Sequence, residues 1–230
     1  MLGEPKDRYH EDPVRMLRAF RFAAKLNCSL TTKTEQPIAN LVGLLQNISP
    51  ARLFDETIKW FHSGHSFKTF ELLRQHGLFA VLFPQTEANL IANEHDQAHA
   101  FLVHSFKNTD ERILTKKPLN PAFLFTVLLW WPMQKHMQQS QDLRLFNALQ
   151  LAMQRVLTKQ MQHIVIPKRI TQTIKAIWIL QYRLTQRKKR RIGKILSNPR
   201  FKIAYDFLLL RNNAGEHLQE TVAWWTNKLP

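Results

Sequence analysis

Residues 11–26 read EDPVRMLRAFRFAAKL, and this stretch decides the fold class. Asp12 offers a side-chain oxygen to the free amides of a helix start, and Pro13 supplies a fixed helical φ where no N–H is needed. Behind that signal Met16, Leu17, Phe20, Ala23, Ala24 and Asn27 recur at helical spacing, a mostly apolar face suited to a core. The same punctuation recurs outward along the chain. Ser49-Pro50, Asn120-Pro121 and Asn198-Pro199 repeat the pairing of cap and proline, and Gly64 and Gly77 follow periodic apolar runs as helix ends do. Alternating strand patterns of useful length are absent. The sequence therefore predicts an all-α, multi-helix protein. Helices are expected near 13–26, 32–46, 50–63, 66–76, 88–107, 121–138, 141–163, 168–186, 189–197, 199–212 and 216–227. Pro132 should kink or end the helix that contains it.

The chain's 230 residues, 44% hydrophobic with 15 Phe and 6 Trp, can fill a sizeable core, as one large domain or two smaller ones. A division into 1–83 and 84–230 is expected. The one cysteine, Cys28, excludes an internal disulfide and a multi-cysteine zinc site, which suits a reducing cytoplasm. The longest apolar run, Ala122–Trp131, falls short of the roughly 18 residues that a membrane helix needs. The N-terminal stretch lacks the basic-then-apolar character of a signal peptide. A soluble, cytoplasmic protein without a membrane partner is expected.

Charge is unevenly distributed. The formal net charge is +16, and from Leu143 to Tyr205 there is no Asp or Glu among 63 residues that hold 15 Lys and Arg. The rest of the chain is nearly neutral. Such asymmetry raises self-repulsion unless a polyanion is the neighbour. A solvated basic face and a membrane surface are the other readings, and nucleic acid is the favoured one. The densest cations are Lys168, Arg169, Arg183, Arg187, Lys188, Lys189, Arg190, Arg191, Lys194, Arg200 and Lys202. These are expected to hold nucleic-acid phosphates without reading sequence. Ile170, Ile174, Ile177, Trp178 and Leu184 recur between them and should pack inward. Trp178 and Tyr182 can stack a base, but their spacing favours the core. Trp224-Trp225 should dock the last helix against the body.

The first long helix carries a second pattern. At 100° per residue, Arg15, Arg18, Arg21 and Lys25 fall within an arc of about 120°, with Glu11 one turn before them. Two readings stand side by side. Acids at a helix start and i,i+4 pairs are stabilising in themselves. Alternatively, Asp12 and Arg15 present an acceptor and donors to a base edge while the spare arginines face phosphate.

The run GEPKDRYHEDPVRMLRAFRFAAKL, residues 3–26, closely resembles the neck of the bacterial poly(A) polymerase and CCA-adding nucleotidyltransferase family, class II. Glu4 departs from that pattern, which reads Gly-Asp-Pro there. The resemblance implies that Glu11, Asp12 and Arg15, with Arg18 and Arg21 continuing the helix, lie beside a nucleotide pocket. It also implies that Asp12 and Arg15 bond the incoming base. PARLFDE (50–56), NPAFLF (120–125) with Trp130-Trp131-Pro132, IPKR (166–169) and FKIAYDFLLLR (201–211) look like the poly(A) polymerase branch rather than the tRNA-adding one. That branch implies a helical neck and body, RNA- and SrmB-binding-like over 1–83 and arginine-rich over 84–230. Its partner would be RNA 3′ ends.

Catalysis in the family uses Mg²⁺ and ATP, held by an α/β head with an Asp-x-Asp pair. These 230 residues hold no Asp-x-Asp, no P-loop and no G-x-G-x-x-G run. Glu94 and Asp96 point about 200° apart on a helix and cannot share a metal. No catalytic, metal-binding or cofactor-binding residue is therefore expected in this chain, and a separately supplied head is. Two other readings remain. One is an RNA-binding module acting without a polymerase. The other is a metal-dependent hydrolase built on His95-Asp96 with His99 and His104, for which no further ligands are designated.

Overall fold

Pro5 stands in the first turn of α1 (Pro5–Glu11), a helix too short for periodicity to have predicted. The buried Tyr9 of α1 donates its hydroxyl to the Thr34 carbonyl at 2.9 Å, and burial pushes its phenol up to about 12. In this computed structural model, residues 3–92, 97–140 and 143–229 are described, with Lys189 by its backbone alone. The expected first long helix is α2 (Val14–Leu26), and it buries Val14, Met16, Leu17, Phe20, Ala23 and Ala24 as the spacing requires. Asn27 does not join that face. It ends α2 in the left-handed region, φ 51°, and is exposed.

Proline accounts for most departures from the expected boundaries. Pro37, with no N–H to donate, breaks the expected 32–46 helix into α3 (Thr32–Glu35), α4 (Ile38–Leu41) and a 3₁₀ turn at Val42–Asn47. The helix expected over 121–138 divides into α10 (Pro121–Leu128) and α11 (Trp130–Gln138). The break falls just before Pro132 because its ring cannot share space with the Leu128 carbonyl.

Between them, α5 (Pro50–Phe61) and α10 keep the predicted caps. Ser49 Oγ accepts from Arg52 N at 3.4 Å, and Asn120 Oδ1 accepts from Ala122 N at 2.9 Å. Then come α6 (Ser66–Gln75), the unexpected α7 (Leu78–Leu82) behind left-handed Gly77, α8 (Pro84–Ala92) and α9 (Gln97–Leu114). The single helix expected over 88–107 is thus two. Glu94, His95 and Asp96 lie outside the described residues. A remote side chain caps α6: Asp110 of α9 accepts from Ser66 N and Oγ, both at 2.7 Å, and from Phe67 N at 3.1 Å.

The C-terminal part consists of α12 (Leu145–Met161), α13 (Lys168–Thr185), a 3₁₀ turn at Lys189–Arg191, α14 (Ile192–Leu196), α15 (Phe201–Asn213) and α16 (Gln219–Thr226). α15 starts two residues later than expected, since Asn198 Oδ1 closes a turn on Arg200 N at 2.9 Å. One apolar core runs from Tyr9 to Trp225, so the whole described chain packs on a shared interior. The described residues are helices, turns and loops, with no strand among them. None of these helices is long and apolar enough to cross a membrane.

A buried charge fixes the C-terminal helices. Arg211 of α15, 7% exposed, forms a forked pair with Glu216 and donates Nη1 to Gln181 Oε1 of α13 at 3.1 Å. Its guanidinium lies 4.5 Å over the Trp130 ring, whose Nε1 also donates to Glu216. A buried guanidinium is tolerable only with such partners, and satisfying it sets the register of α15 against α13 and α11. Trp225 is fully buried and donates Nε1 to the Leu184 carbonyl at 2.9 Å, docking α16 as expected.

Candidate nucleic-acid interface

The arginine stripe of α2 stands on the outer side of that helix, and its partners come from α5 rather than from its own first turn. Asp12 is held on both oxygens. Oδ1 accepts from Val14 N at 3.3 Å, which closes the helix start, and Oδ2 pairs with Arg52 at 2.8 Å. Arg18 donates Nε and Nη2 to Glu56 Oε1 at 3.3 and 3.0 Å, and Lys59 reaches the same oxygen at 3.1 Å. Glu56 is only 1% exposed. Burial opposes its ionisation, but the hydrogen bonds from Lys59 and Arg18 outweigh this and hold the carboxyl below its ordinary value.

The cluster expected at Glu11 is corrected accordingly. Glu11 faces solvent and pairs with Arg8 at 2.7 Å, not with Arg15 or Arg18, because α1 ends at Glu11 and Asp12 turns the chain before α2 begins. Arg15 and Arg21 meet no carboxylate among the described residues, and the Nε of each is shielded without a partner. The Arg21 guanidinium lies 4.6 Å over the exposed Phe22 ring. Composition gave no warning of Arg52 and Glu56. Their signal is the PARLFDE run itself, which places a base and an acid at i and i+4 on one face of α5.

The acid-free segment behaves differently. Its apolar positions Ile170, Ile174, Ile177, Trp178 and Leu184 are buried, and Trp178 is therefore core rather than a stacking platform. Tyr182 is half-buried. Lys168, Arg169, Arg187, Lys188, Arg190, Arg191, Lys194 and Lys202 are exposed, and Arg183 and Arg200 are partly so. The side chain of Lys189 lies outside the described residues. Among the described residues only Arg187 of this segment reaches a carboxylate, Glu220 at 3.4 Å on the surface. The cations of the expected cluster are spread along α13 and the segments that follow it. Lys168 and Arg169 open α13, and Arg200 returns to it through a 2.8 Å bond from Nη1 to Thr173 Oγ1, with Lys202 beside it. Arg183 lies near the other end of α13, roughly 22 Å from Lys168 at 1.5 Å per residue, and the run from Arg187 to Lys194 follows it in sequence.

Two family profiles match this chain. The probable RNA and SrmB-binding site of polymerase A covers residues 27–90, and the polymerase A arginine-rich C-terminus covers 141–229. Poly(A) polymerase I of Salmonella typhi is 40% identical over 230 residues, across 98% of this chain and 50% of its own length. The chain belongs to the poly(A) polymerase family. The Haemophilus influenzae poly(A) polymerase I is 39% identical over 229 residues, again 98% of this chain and 51% of its own length. The chain thus spans about half the length of these curated relatives. The CCA-adding enzyme of Lactobacillus helveticus is 41% identical, but over only 71 residues and 31% of this chain. The poly(A) branch therefore takes in the C-terminal helices, as the FKIAYDFLLLR and IPKR runs suggested.

Proposed function

We propose that this chain is the RNA-gripping neck and body of an enzyme that adds AMP from ATP to RNA 3′ ends in the cytoplasm. The observation that carries the reading is the array of exposed cations on and after α13 that find no carboxylate among the described residues. Like charges held together without internal neutralisation cost self-repulsion, and a polyanion relieves it while releasing counterions. Lys and Arg heads on flexible stems bind phosphate wherever it lies and select no base, which suits an enzyme that extends varied 3′ ends. In this reading residues 84–230 supply the grip and residues 1–83 the end nearer the nucleotide.

There, Asp12 and Arg15 contact the incoming base, with Arg52 orienting Asp12. Arg21 faces phosphate, and Arg18 is the strut that Glu56 locks in place. The carboxylates around the stripe do not fit a magnesium ion. Asp12 is bound by Arg52 and a backbone N–H, Glu11 by Arg8, and Glu56 is buried under Arg18 and Lys59. Metal and triphosphate chemistry therefore belongs to a nucleotidyltransferase head lying outside these 230 residues, in the same or another polypeptide.

The test is equilibrium binding of oligo(A) and oligo(U) over a salt gradient. Both should bind alike. If about six phosphates are engaged, the slope of log affinity against log salt should be roughly −4. A slope near zero, or affinity confined to one base sequence, would defeat the reading. The purified 230-residue chain should not extend an RNA primer with ATP and Mg²⁺.

A further inference from the structure

A cleft of about 400 Å³ opens where the end of α5 and the helices α9, α10, α13 and α15 meet. Its walls divide by chemistry. Arg112, Arg200 and Lys202 bring three cations to it, against one carboxylate, Asp206, which lies 3.9 Å from Arg112. Two of the cations are held in place. Arg200 Nη1 donates to Thr173 Oγ1 at 2.8 Å and Arg112 Nη2 to the Pro118 carbonyl at 3.3 Å, leaving the other guanidinium N–H groups for a ligand. The apolar wall includes the half-buried Phe123, whose ring packs edge-to-face on Phe207 with centroids 5.8 Å apart. Asn108, whose side chain has no hydrogen bond among the described residues, lines the cleft beside them.

We propose that this cleft binds one 5′-phosphorylated nucleotide, with the phosphate on Arg200 and Lys202 and the base against Phe123. Asn108 meets a polar edge of the same ligand. The volume lies at the small end of the range for small-molecule sites, room for one nucleotide rather than a strand. Excess positive charge selects an anion, since each cation can give a charge-assisted bond to phosphate oxygen. A rigid aromatic beside those cations selects an anion that carries a flat apolar group. Asp206 offsets part of that positive charge from beside Arg112. Burial pushes its carboxyl up against the pull of Arg112 and Lys202. The inference deepens the RNA-gripping reading, because Arg200 and Lys202 belong to the acid-free segment. Two sources offer the same chemistry: a residue of the bound RNA strand, or a free nucleotide.

The test is calorimetric titration of 5′-AMP, adenosine and inorganic phosphate into the 230-residue chain. AMP should bind at one site, at least about tenfold tighter than either part alone. Lys202→Gln, at an exposed residue, should weaken AMP by roughly tenfold and leave adenosine unchanged. Asn108→Trp fills the cleft and should abolish AMP binding, with thermal unfolding followed to show that the variant folds. Should it not fold, Lys202→Gln alone decides. Undetectable AMP binding, AMP no tighter than phosphate, or an affinity that Lys202→Gln leaves unchanged would overturn the proposal. Displacement of AMP by oligo(A) identifies the strand as the source, and simultaneous binding identifies a free nucleotide. The salt slope for oligo(A) is measured separately, on a variant of Arg190, Arg191 and Lys194 outside the cleft, so either reading can fail while the other stands.

Discussion

Eight of the eleven ion pairs among the described residues lie between Glu4 and His99, whereas the 63-residue acid-free segment contributes one, Arg187 to Glu220. In the N-terminal part the pairs join elements: Arg52 ties α5 to Asp12, Arg18 ties α2 to Glu56, and Arg74 of α6 forks onto Glu87 of α8. In the C-terminal part the buried Arg211 is held by Glu216, close by in sequence, Arg112 of α9 reaches Asp206 of α15 at 3.9 Å, and Arg187 reaches Glu220 on the surface. The contrast separates two uses of arginine within one all-helical chain. Where acids are at hand, guanidinium groups set the geometry between helices. Where acids are missing, the helices are held by apolar packing and the cations are left facing outward.

The greatest loss should follow removal of the unpaired cations. Arg190→Gln, Arg191→Gln and Lys194→Gln together remove three exposed charges with no carboxylate partner among the described residues. RNA affinity near physiological salt should fall by some tens of fold, and the slope of log affinity against log salt should become shallower by about 2. Oligo(A) and oligo(U) should suffer alike, and thermal unfolding should not change. An unchanged slope would move the RNA to the Arg15–Arg21 stripe.

Glu56→Gln tests the paired end and should cost about 1–3 kcal/mol in denaturant unfolding, because it removes a buried charged acceptor shared by Arg18 and Lys59. The sign with pH follows from the lowered carboxyl. Glu56 stays ionised in the folded chain to a lower pH than in the unfolded one. Its stabilisation is therefore full above its ordinary value of 4.5 and is lost as pH falls through the depressed value. Wild-type stability should drop through that acid window, and the Gln variant should lack this part of the drop. Equal acid sensitivity would mean that Arg18 and Lys59 do not stabilise the charge.

Arg15 sits in the paired region yet meets no carboxylate among the described residues. Once a nucleotidyltransferase head is supplied, Arg15→Ala should reduce ATP use, or its preference over CTP, by roughly tenfold while leaving unfolding nearly unchanged. Asp12→Asn should act in the same direction and retain the helix cap. If both variants melt early yet use ATP normally, the stripe is structural. The smallest effect belongs to Arg52→Ala. Its surface pair with Asp12 is worth under about 1 kcal/mol, so stability should hardly move. Any loss of ATP preference in that variant would therefore report the orientation of Asp12 rather than folding.

The helical class, the buried face of α2, the caps at Ser49 and Asn120, and the charge asymmetry are all legible in the amino-acid order. Each of these is a local or compositional property: a cap needs residues two or three apart, a face needs one helix, and a net charge needs no geometry. Boundaries failed where a tertiary or proline effect intervened, as at Pro37, at Leu129 and at the seven-residue α1. Which charges meet depends on how the helices pack. Asp110 caps a helix more than forty residues away, and Glu56 rather than Glu11 holds Arg18. Arg200 folds back onto Thr173 of α13, 27 residues earlier in the chain. A pairing across the core depends on how helices cross. That is fixed by the packing of apolar side chains and by the few buried polar groups, such as Arg211, that must be satisfied wherever the chain closes.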